Sequence, residues 1–302
     1  MLISDWETNT VYITLPNKKM KMYLENFDDL LIFYKNLINT ISKHNKLVCI
    51  GNSIEDKNIN YISYNIGDIW IRDFGPLQFN DQFIKFQYNP LYGSPIVNKN
   101  VSKNREIFLD THFRKDIKDI DLVLEGGNIV HNGEGIAIIT ERIFRANPTK
   151  TKEEIEKILK EELLLNTIIF IPPEPYDKTG HVDGMVRFLS PSLLVINDYT
   201  DVDNWYHKKL YSILSKYDFE IEYIPYAKHD ETSHGWYTAK GNYTNFLNTK
   251  DAIYVPIYDD KFDDLAMKKY QNLCQNEVVG IESSAIAKWG GIINCITWNI
   301  KL

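Results

Sequence analysis

The sequence predicts an α/β chain assembled from about five helix-and-strand units. Three observations carry that expectation. Apolar residues recur at helical spacing in five separate stretches. Short runs rich in Val, Ile, Tyr and Phe occupy the intervals between them. The helices begin near residues 20, 104, 152, 202 and 262, so the last three intervals are about 50, 50 and 60 residues. Dividing 302 residues by five gives units of ~60. No clean self-similarity accompanies this spacing. No Pro-, Ser- or Gly-rich linker interrupts the chain, so a single domain over residues 1–302 is expected.

In order along the chain, Val11 to Leu15 reads as a strand ended by Pro16-Asn17. From Lys18 to His44, Tyr23, Phe27, Leu30, Leu31, Tyr34, Leu37, Ile38 and Ile41 form one helical stripe. Leu47 to Ile50 is a short strand closed by Gly51-Asn52, and Tyr61–Ile66 and Leu77–Tyr88 are extended, the latter broken near Asn80-Asp81. A helix is expected within Asn104–Lys118. Strands at Asp121–Leu124 and Ile136–Thr140 follow, with Asn132-Gly133-Glu134-Gly135 as a hairpin turn between them. Thr151-x-x-Glu154 is a capping box that opens a helix over Lys152–Leu165. Next come strands at Thr167–Ile171, Val182–Leu189 and Leu193–Asn197, a helix over Val202–Tyr217 and a strand at Glu220–Pro225. The polar stretch Tyr226–Lys240 reads equally as a mobile flap or a plain surface loop. Asn242–Leu247 and Ile253–Tyr258 are strands, Phe262–Cys274 a helix, and Glu277–Glu282 and Ile292–Ile300 the final strands.

A hydrophobic content of 44% supports a large core. The net charge of −7 argues against a nucleic-acid partner and suits a cationic ligand. No apolar run approaches the ~18 residues of a membrane span, and Met1 to Pro16 lacks the pattern of an export signal. The three cysteines, Cys49, Cys274 and Cys295, are an odd, low count that fits reduced thiols in the cytoplasm. None belongs to a zinc-spaced cluster, so no metal site is expected.

Candidate chemistry gathers in a few short motifs. In Gly180-His181-Val182-Asp183-Gly184, strand geometry would turn His181 and Asp183 to one face. An imidazole moves protons near neutral pH, and a carboxylate beside it holds a cation. Trp70-Ile71-Arg72-Asp73-Phe74-Gly75-Pro76 puts two opposite charges side by side ahead of a turn. On an extended segment Arg72 and Asp73 face opposite ways, one free to serve a pocket and the other a structural ion pair. Taken alone, the motif is equally a surface pair. Glu125-Gly126-Gly127-Asn128 places an acid after an apolar strand, with glycines that let backbone approach closely. Taken alone, Glu125 is a turn residue. Asn242-Tyr243-Thr244-Asn245-Phe246 brings two amides, Asn242 and Asn245, near a strand start, either to orient a polar ligand or as an ordinary edge. Gly290-Gly291-Ile292-Ile293-Asn294-Cys295-Ile296-Thr297 leaves open space beside a cysteine. A buried cysteine is usually inert filler, which suits Cys49 and Cys274.

The ordered set Trp6-Glu7, W-x-R-D-x-G-P, E-G-G-N, G-H-V-D, N-Y-x-N-F and G-G-x-x-x-C-I-T resembles the agmatine deiminases and the bacterial peptidylarginine deiminases, from Trp6 to Thr297. This group of guanidino-modifying enzymes has the five-bladed α/β-propeller, or pentein, fold. The resemblance implies five ββαβ units around a central site. It also implies a catalytic Cys295 nucleophile, His181 as general acid/base and Glu125 orienting the imidazole. Asp73 and Asp183 would grip the guanidinium, with Trp70 and Asn245 also on the substrate. No cofactor is implied, and dimers are. Asn294 stands where the family often has histidine, and on a strand it alternates away from Cys295, so little effect on chemistry is expected. Phe74 stands where agmatine deiminases usually have Thr, which leans towards the peptidylarginine branch. Gln87-Tyr88-Asn89 also departs from the commoner F-N-x-W pattern.

The implied reaction is hydrolysis of a small cationic guanidino compound, foremost agmatine, through a covalent S-alkylthiouronium on Cys295. Like charges raise a thiol pKa, so the thiolate is expected to form only once the cationic substrate is bound. Deimination of free or peptidyl arginine, amidino transfer through the same intermediate, and a silent binding protein of this fold are the alternatives.

Overall fold

The computed structural model describes residues 1–54, 59–113, 117–233 and 235–302. One motif recurs five times: two antiparallel strands, a crossover helix, and a third strand parallel to the second. In the second unit these are Leu77–Phe79, Gln82–Gln87, helix Pro95–His112 and Ile117–Val123. The third has Ile129–His131, Ile136–Thr140, helix Lys152–Leu163 and Thr167–Ile171. The fourth has Val186–Phe188, Leu193–Asn197, helix Asn204–Leu214 and Glu220–Ile224. The fifth has Leu247–Asn248, Ala252–Ile257, helix Asp263–Leu273 and Glu277–Glu282. The first unit takes its opening strand from the far end of the chain. Thr297–Ile300 runs antiparallel to Thr10–Thr14, with Thr10 opposite Ile300. Helix Phe27–Ile41 then leads to Lys46–Ile50 and the added strand Asn60–Ile62. This is the five-bladed α/β-propeller that the family resemblance implies, closed by pairing the two chain ends.

Local chemistry explains the helices. Phe27–Ile41 buries Leu30, Phe33, Tyr34, Leu37, Ile38 and Ile41 on one stripe, and Asp28 and Asp29 complement the positive end of its dipole. In Lys152–Leu163 the Thr151 hydroxyl accepts from Glu154 N, and the Glu154 carboxylate accepts from Thr151 N at 2.6 Å. Ring closure is sealed by an aromatic cluster. Trp298 packs on Tyr12 and Phe113 with centroids 5.0 and 4.9 Å apart, and its indole donates to Pro76 O at 2.8 Å.

Two groups of expectations need correction. The helix expected within Asn104–Lys118 is Pro95–His112. Its inward stripe includes Asn98 and Arg105, whose side chains donate to Pro90 O and Phe86 O, so apolar periodicity understates it. Pro95 at the first turn pre-sets φ for its start. Ile117 and Lys118 instead pair with Phe83 and Ile84, and residues 114–116 of the expected helix lie outside the described residues.

The strands expected at Val182–Leu189, Asn242–Leu247 and Ile292–Ile300 start later, at Val186, Leu247 and Thr297. The residues ahead of them form tight turns instead, Val182–Gly184 among them, and Ile71–Phe74 is likewise a single helical turn. Strand alternation therefore does not set the directions of His181 and Asp183, Arg72 and Asp73, or Asn294 and Cys295. Each pair lies on a turn, not in an extended strand.

Candidate active site

Each unit enters its first strand through such a turn, and these turns carry the candidates. Asp73 lies in Ile71–Phe74, Glu125 precedes Gly126–Asn128, and His181 and Asp183 flank Val182 at the start of Val182–Gly184. Asn245 precedes Leu247, and Cys295 precedes Thr297. The turns touch across unit boundaries. Gly127 N donates to Asp73 Oδ1 at 3.3 Å, Arg72 N to Cys295 O at 3.1 Å, and Asn294 N to Asn245 O at 3.3 Å. Residues far apart in sequence thus share one centre.

Gly127 shows how tightly they converge. A Cβ there would stand 2.7 Å from both Asp73 Oδ1 and His181 Nδ1, and 3.3 Å from Asp183 Oδ2. Only glycine leaves room for three polar side chains around one backbone position. Gly180, at φ +58°, turns the chain into His181, and its carbonyl accepts from Thr140 Oγ1 at 2.8 Å. The backbone N–H of Thr140 donates to Asn128 Oδ1 at 3.2 Å, so Asn128 pins the turn of its own unit to the strand beside it.

Among these side chains, His181 Nδ1 lies 3.4 Å from Asp73 Oδ1, and Nε2 lies 3.7 Å from Glu125 Oε2, beyond hydrogen-bond reach. The imidazole is thus flanked by two carboxylates. Glu125 is not hydrogen-bonded to it here, and Asp73 is the nearer partner. The Cys295 thiol donates to Asn245 Oδ1 at 3.4 Å, and Asn294 Nδ2 donates to Asp183 Oδ2 at 2.6 Å. The expectation that Asn294 stands apart from the site is overturned, because on a turn it faces the neighbouring unit. Arg72 makes hydrogen bonds rather than the ion pair one reading allowed. Its Nε donates to Asn294 O at 3.3 Å and its Nη2 to Asn299 Oδ1 at 2.5 Å, which braces the loop before Cys295. The Trp70 ring packs against Gly291, where a Cβ would sit 2.6 Å from its Cζ3.

Electrostatics follow from burial. His181 is 4% exposed, and burial alone would lower its pKa. Asp73, Glu125 and Asp183 outweigh that and raise it to about 9. Burial pushes the Asp73 carboxyl up to about 6 despite His181 and the Tyr92 hydroxyl, which favour its charged form. Burial, then Asp183 and Asp73, hold the Cys295 thiol well above the ordinary thiol range. In the empty site at neutral pH the cysteine is a thiol and the histidine an imidazolium. Cys49 and Cys274 are also free thiols, pushed up by burial to about 12 and about 11.

A cleft opens beside the cluster. Its wall includes Cys295, Asp183, Asn245 and Gly291, together with Glu174, Asp177 and much of Tyr226–Lys240. That stretch is therefore no remote surface loop. Its small hairpin pairs Thr232 with Tyr237 and Ser233 with Trp236, while His234 lies outside the described residues. Asp73, Glu125, His181 and Trp70 do not line the cleft.

Tyr92, on the segment after Gln82–Gln87, covers part of the buried group. Its hydroxyl donates to Asp73 Oδ2 at 2.5 Å, and its ring meets His181 and Trp236 edge-on at 5.6 and 5.8 Å. Sequence reasoning missed Tyr92, Asp177 and Asn294. Asp177 had a local signal, an Asx turn in which it accepts from Thr179 N at 2.8 Å. Tyr92 had none, since its bond to Asp73 depends on how the chain returns after the hairpin. Among the described residues no group of three His, Cys, Asp or Glu is placed to hold a metal, and no helix is long and apolar enough to cross a membrane.

Comparison with known proteins agrees with this fold. A putative agmatine deiminase of Listeria monocytogenes serovar 1/2a is 33% identical over 211 residues, 60% of this chain and 58% of the relative, so that match spans less than two thirds of the relative's length. A putative agmatine deiminase of Mycoplasma capricolum is 28% identical over 318 aligned residues, covering 87% of this chain and 85% of the relative. In fold, the agmatine deiminase of C. jejuni superposes with a TM-score of 0.88 at 23% identity, over 99% of this chain and 95% of that one. The model of the Porphyromonas-type peptidyl-arginine deiminases matches residues 1–300, and the chain belongs to that family.

Proposed function

We propose that this chain hydrolyses the guanidinium group of agmatine to N-carbamoylputrescine and ammonia, with Cys295 as nucleophile. The observation that carries the reading is the placement of a half-buried thiol, an imidazolium and two carboxylates, Asp73 and Asp183, on turns that meet beside one cleft. Agmatine is the substrate that the relatives' names point to. Its second cation also suits a wall containing Asp177. The residues 1–302 act as one catalytic domain, a reading supported by the pairing of Thr297–Ile300 with Thr10–Thr14. Three free thiols suit a cytoplasmic enzyme.

A guanidinium carbon is a weak electrophile because its charge is delocalised. Asp73 and Asp183 hold the cation, and its arrival offsets the negative field that keeps Cys295 protonated. The thiol proton leaves to solvent, and the thiolate adds to the guanidinium carbon to give a neutral tetrahedral adduct. The His181 imidazolium protonates the departing nitrogen, the C–N bond breaks, and ammonia leaves an S-alkylthiouronium with neutral His181. His181 then takes a proton from water as the oxygen adds to the same carbon. Collapse breaks the C–S bond, the hydroxyl proton returns to the sulfur, and the ureido product departs. Glu125 and Asp73 stabilise His181 whenever it carries the extra proton.

A second reading, deimination of free or C-terminal peptidyl arginine, is favoured by Lys240 in the cleft wall, which suits a carboxylate, and by the family's description. One experiment separates the two. Ammonia and ureido product are measured with agmatine, arginine and short arginine peptides, with Cys295→Ala as control. Agmatine is expected to be turned over fastest. Arginine outpacing agmatine removes the leading substrate, and equal ammonia from the control overturns the nucleophile.

A further inference from the structure

We infer that Asn294 is a positioning residue for the guanidinium clamp, its side-chain amide holding the Asp183 carboxylate towards the cleft. The inference rests on Asp183 being a substrate carboxylate, as proposed above. Asp183 and Asn294 are each 2% exposed, and the amide donates to Asp183 Oδ2 at 2.6 Å. The opposite amide orientation would set two oxygens against each other, so the donor assignment follows from chemistry. Asn294 is itself fixed. Its N–H reaches Asn245 O, and its carbonyl accepts from Arg72 Nε and Thr297 Oγ1.

Asp183 needs such a restraint because it sits between two cavities. On one side lies the cleft with Cys295. On the other is a small polar recess, lined by Asp183 and Asn294 with Asp5, Arg72, His131 and Arg187. The ionisable groups that face Asp183 or share its cavities are Asp73, Glu125, His181 and Cys295 within the site, Glu174, Asp177, Lys178, Lys228, His229 and Lys240 along the cleft, and two arginines, an aspartate and a histidine on the far side. In an empty enzyme the arginines are the permanent cations of the far side, and a free carboxylate would turn to them. A charge-assisted bond from Asn294 opposes that rotation, so the guanidinium meets an acceptor already oriented. A neutral amide does this at every working pH.

The test reads binding without turnover. In a Cys295→Ala background, guanidinium ion at millimolar concentration and agmatine are titrated calorimetrically against chains with Asn294, Asn294→Ala and the near-isosteric Asn294→Asp. Asn294→Ala should weaken both ligands by ~10-fold or more, the size of a lost hydrogen bond to a charged group. Asn294→Asp should weaken binding far more at pH 8 than at pH 5.5, where the introduced carboxyl can donate a proton to Asp183. With Cys295 restored, the loss should appear in KM, with kcat within ~3-fold. Unchanged affinity in Asn294→Ala, or an Asn294→Asp effect independent of pH, overturns the inference. A native chain that binds guanidinium but does not hydrolyse agmatine sinks the proposed substrate and leaves this inference standing.

Discussion

Asp73 Oδ1 lies 3.4 Å from His181 Nδ1, and the two side chains are 7% and 4% exposed. This buried pair sets the protonation state from which the enzyme starts. His181 is raised from 6.5 to about 9, so the stability it contributes is complete below about pH 6.5 and is lost as the pH climbs through about 9. Asp73 is also raised, so its ionisation in the folded chain opposes stability as the pH rises from 3.8 to about 6. The imidazole resonances of His181 should titrate near 9, and Asp73→Asn should lower that midpoint by about a unit or more. A midpoint below 7 in the native chain is incompatible with this pairing.

The thiol of Cys295 should be unreactive until a cation arrives. Its pKa in the empty enzyme is held above the ordinary 9.0 by burial, Asp183 and Asp73. Alkylation of Cys295, followed by peptide mass spectrometry to separate it from Cys49 and Cys274, should therefore show an apparent pKa above 9.0. It should fall when a guanidino ligand is added, and in Asp183→Asn without ligand. A pKa well below ~8.5 in the empty enzyme would remove substrate-assisted deprotonation from the mechanism. Cys295→Ala should reduce turnover by roughly 10⁴-fold or more.

Tyr92 offers a test outside the motifs. Its hydroxyl donates to the charged form of Asp73 at 2.5 Å. Tyr92→Phe keeps the ring against His181 and Trp236 and removes that donor. The Asp73 pKa should rise, moving the acid limb of the kcat/KM profile to higher pH, and kcat/KM should drop about 10-fold. A profile that does not move would mean that the hydroxyl has no hold on Asp73 in solution.

Two glycines separate crowding from flexibility. A methyl at Gly127 would press on Asp73 and His181 at 2.7 Å, whereas one at Gly184 meets only Asn242 Nδ2 at 3.4 Å. Gly127→Ala should cost about 1–3 kcal/mol of stability and at least ~100-fold in activity, through displaced polar groups. Gly184→Ala should stay within ~3-fold of the native rate. Circular dichroism and melting curves confirm that both variants are folded before rates are compared.

Much of the architecture was readable where the local pattern is sufficient. Phe27–Ile41 has an uninterrupted apolar stripe, and Lys152–Leu163 carries its own capping box, so both helices are written in their own residues. Pro95–His112 was misplaced because Asn98 and Arg105 occupy its inward stripe and find partners only after the chain folds around them. The strands entering three of the units start later than their apolar runs suggest, for a related reason. Apolar residues such as Val182, Phe246 and Ile293 are buried in turns, and burial without regular alternation looks the same in sequence as a strand.

By itself, the sequence determined which side chains were available and in what order: an imidazole, a thiol and three carboxylates, each beside a glycine or a strand start. It could also yield five units, because period and turn chemistry are local properties. Tertiary structure alone decided how these groups face one another. His181 lies nearer Asp73 than Glu125, Tyr92 caps Asp73, and Asn294 reaches Asp183 across 111 residues. Those relationships arise where turns from different units meet, and they depend on closing the ring through Thr297–Ile300 and Thr10–Thr14. Spacing along one strand carries no information about a contact made between two units.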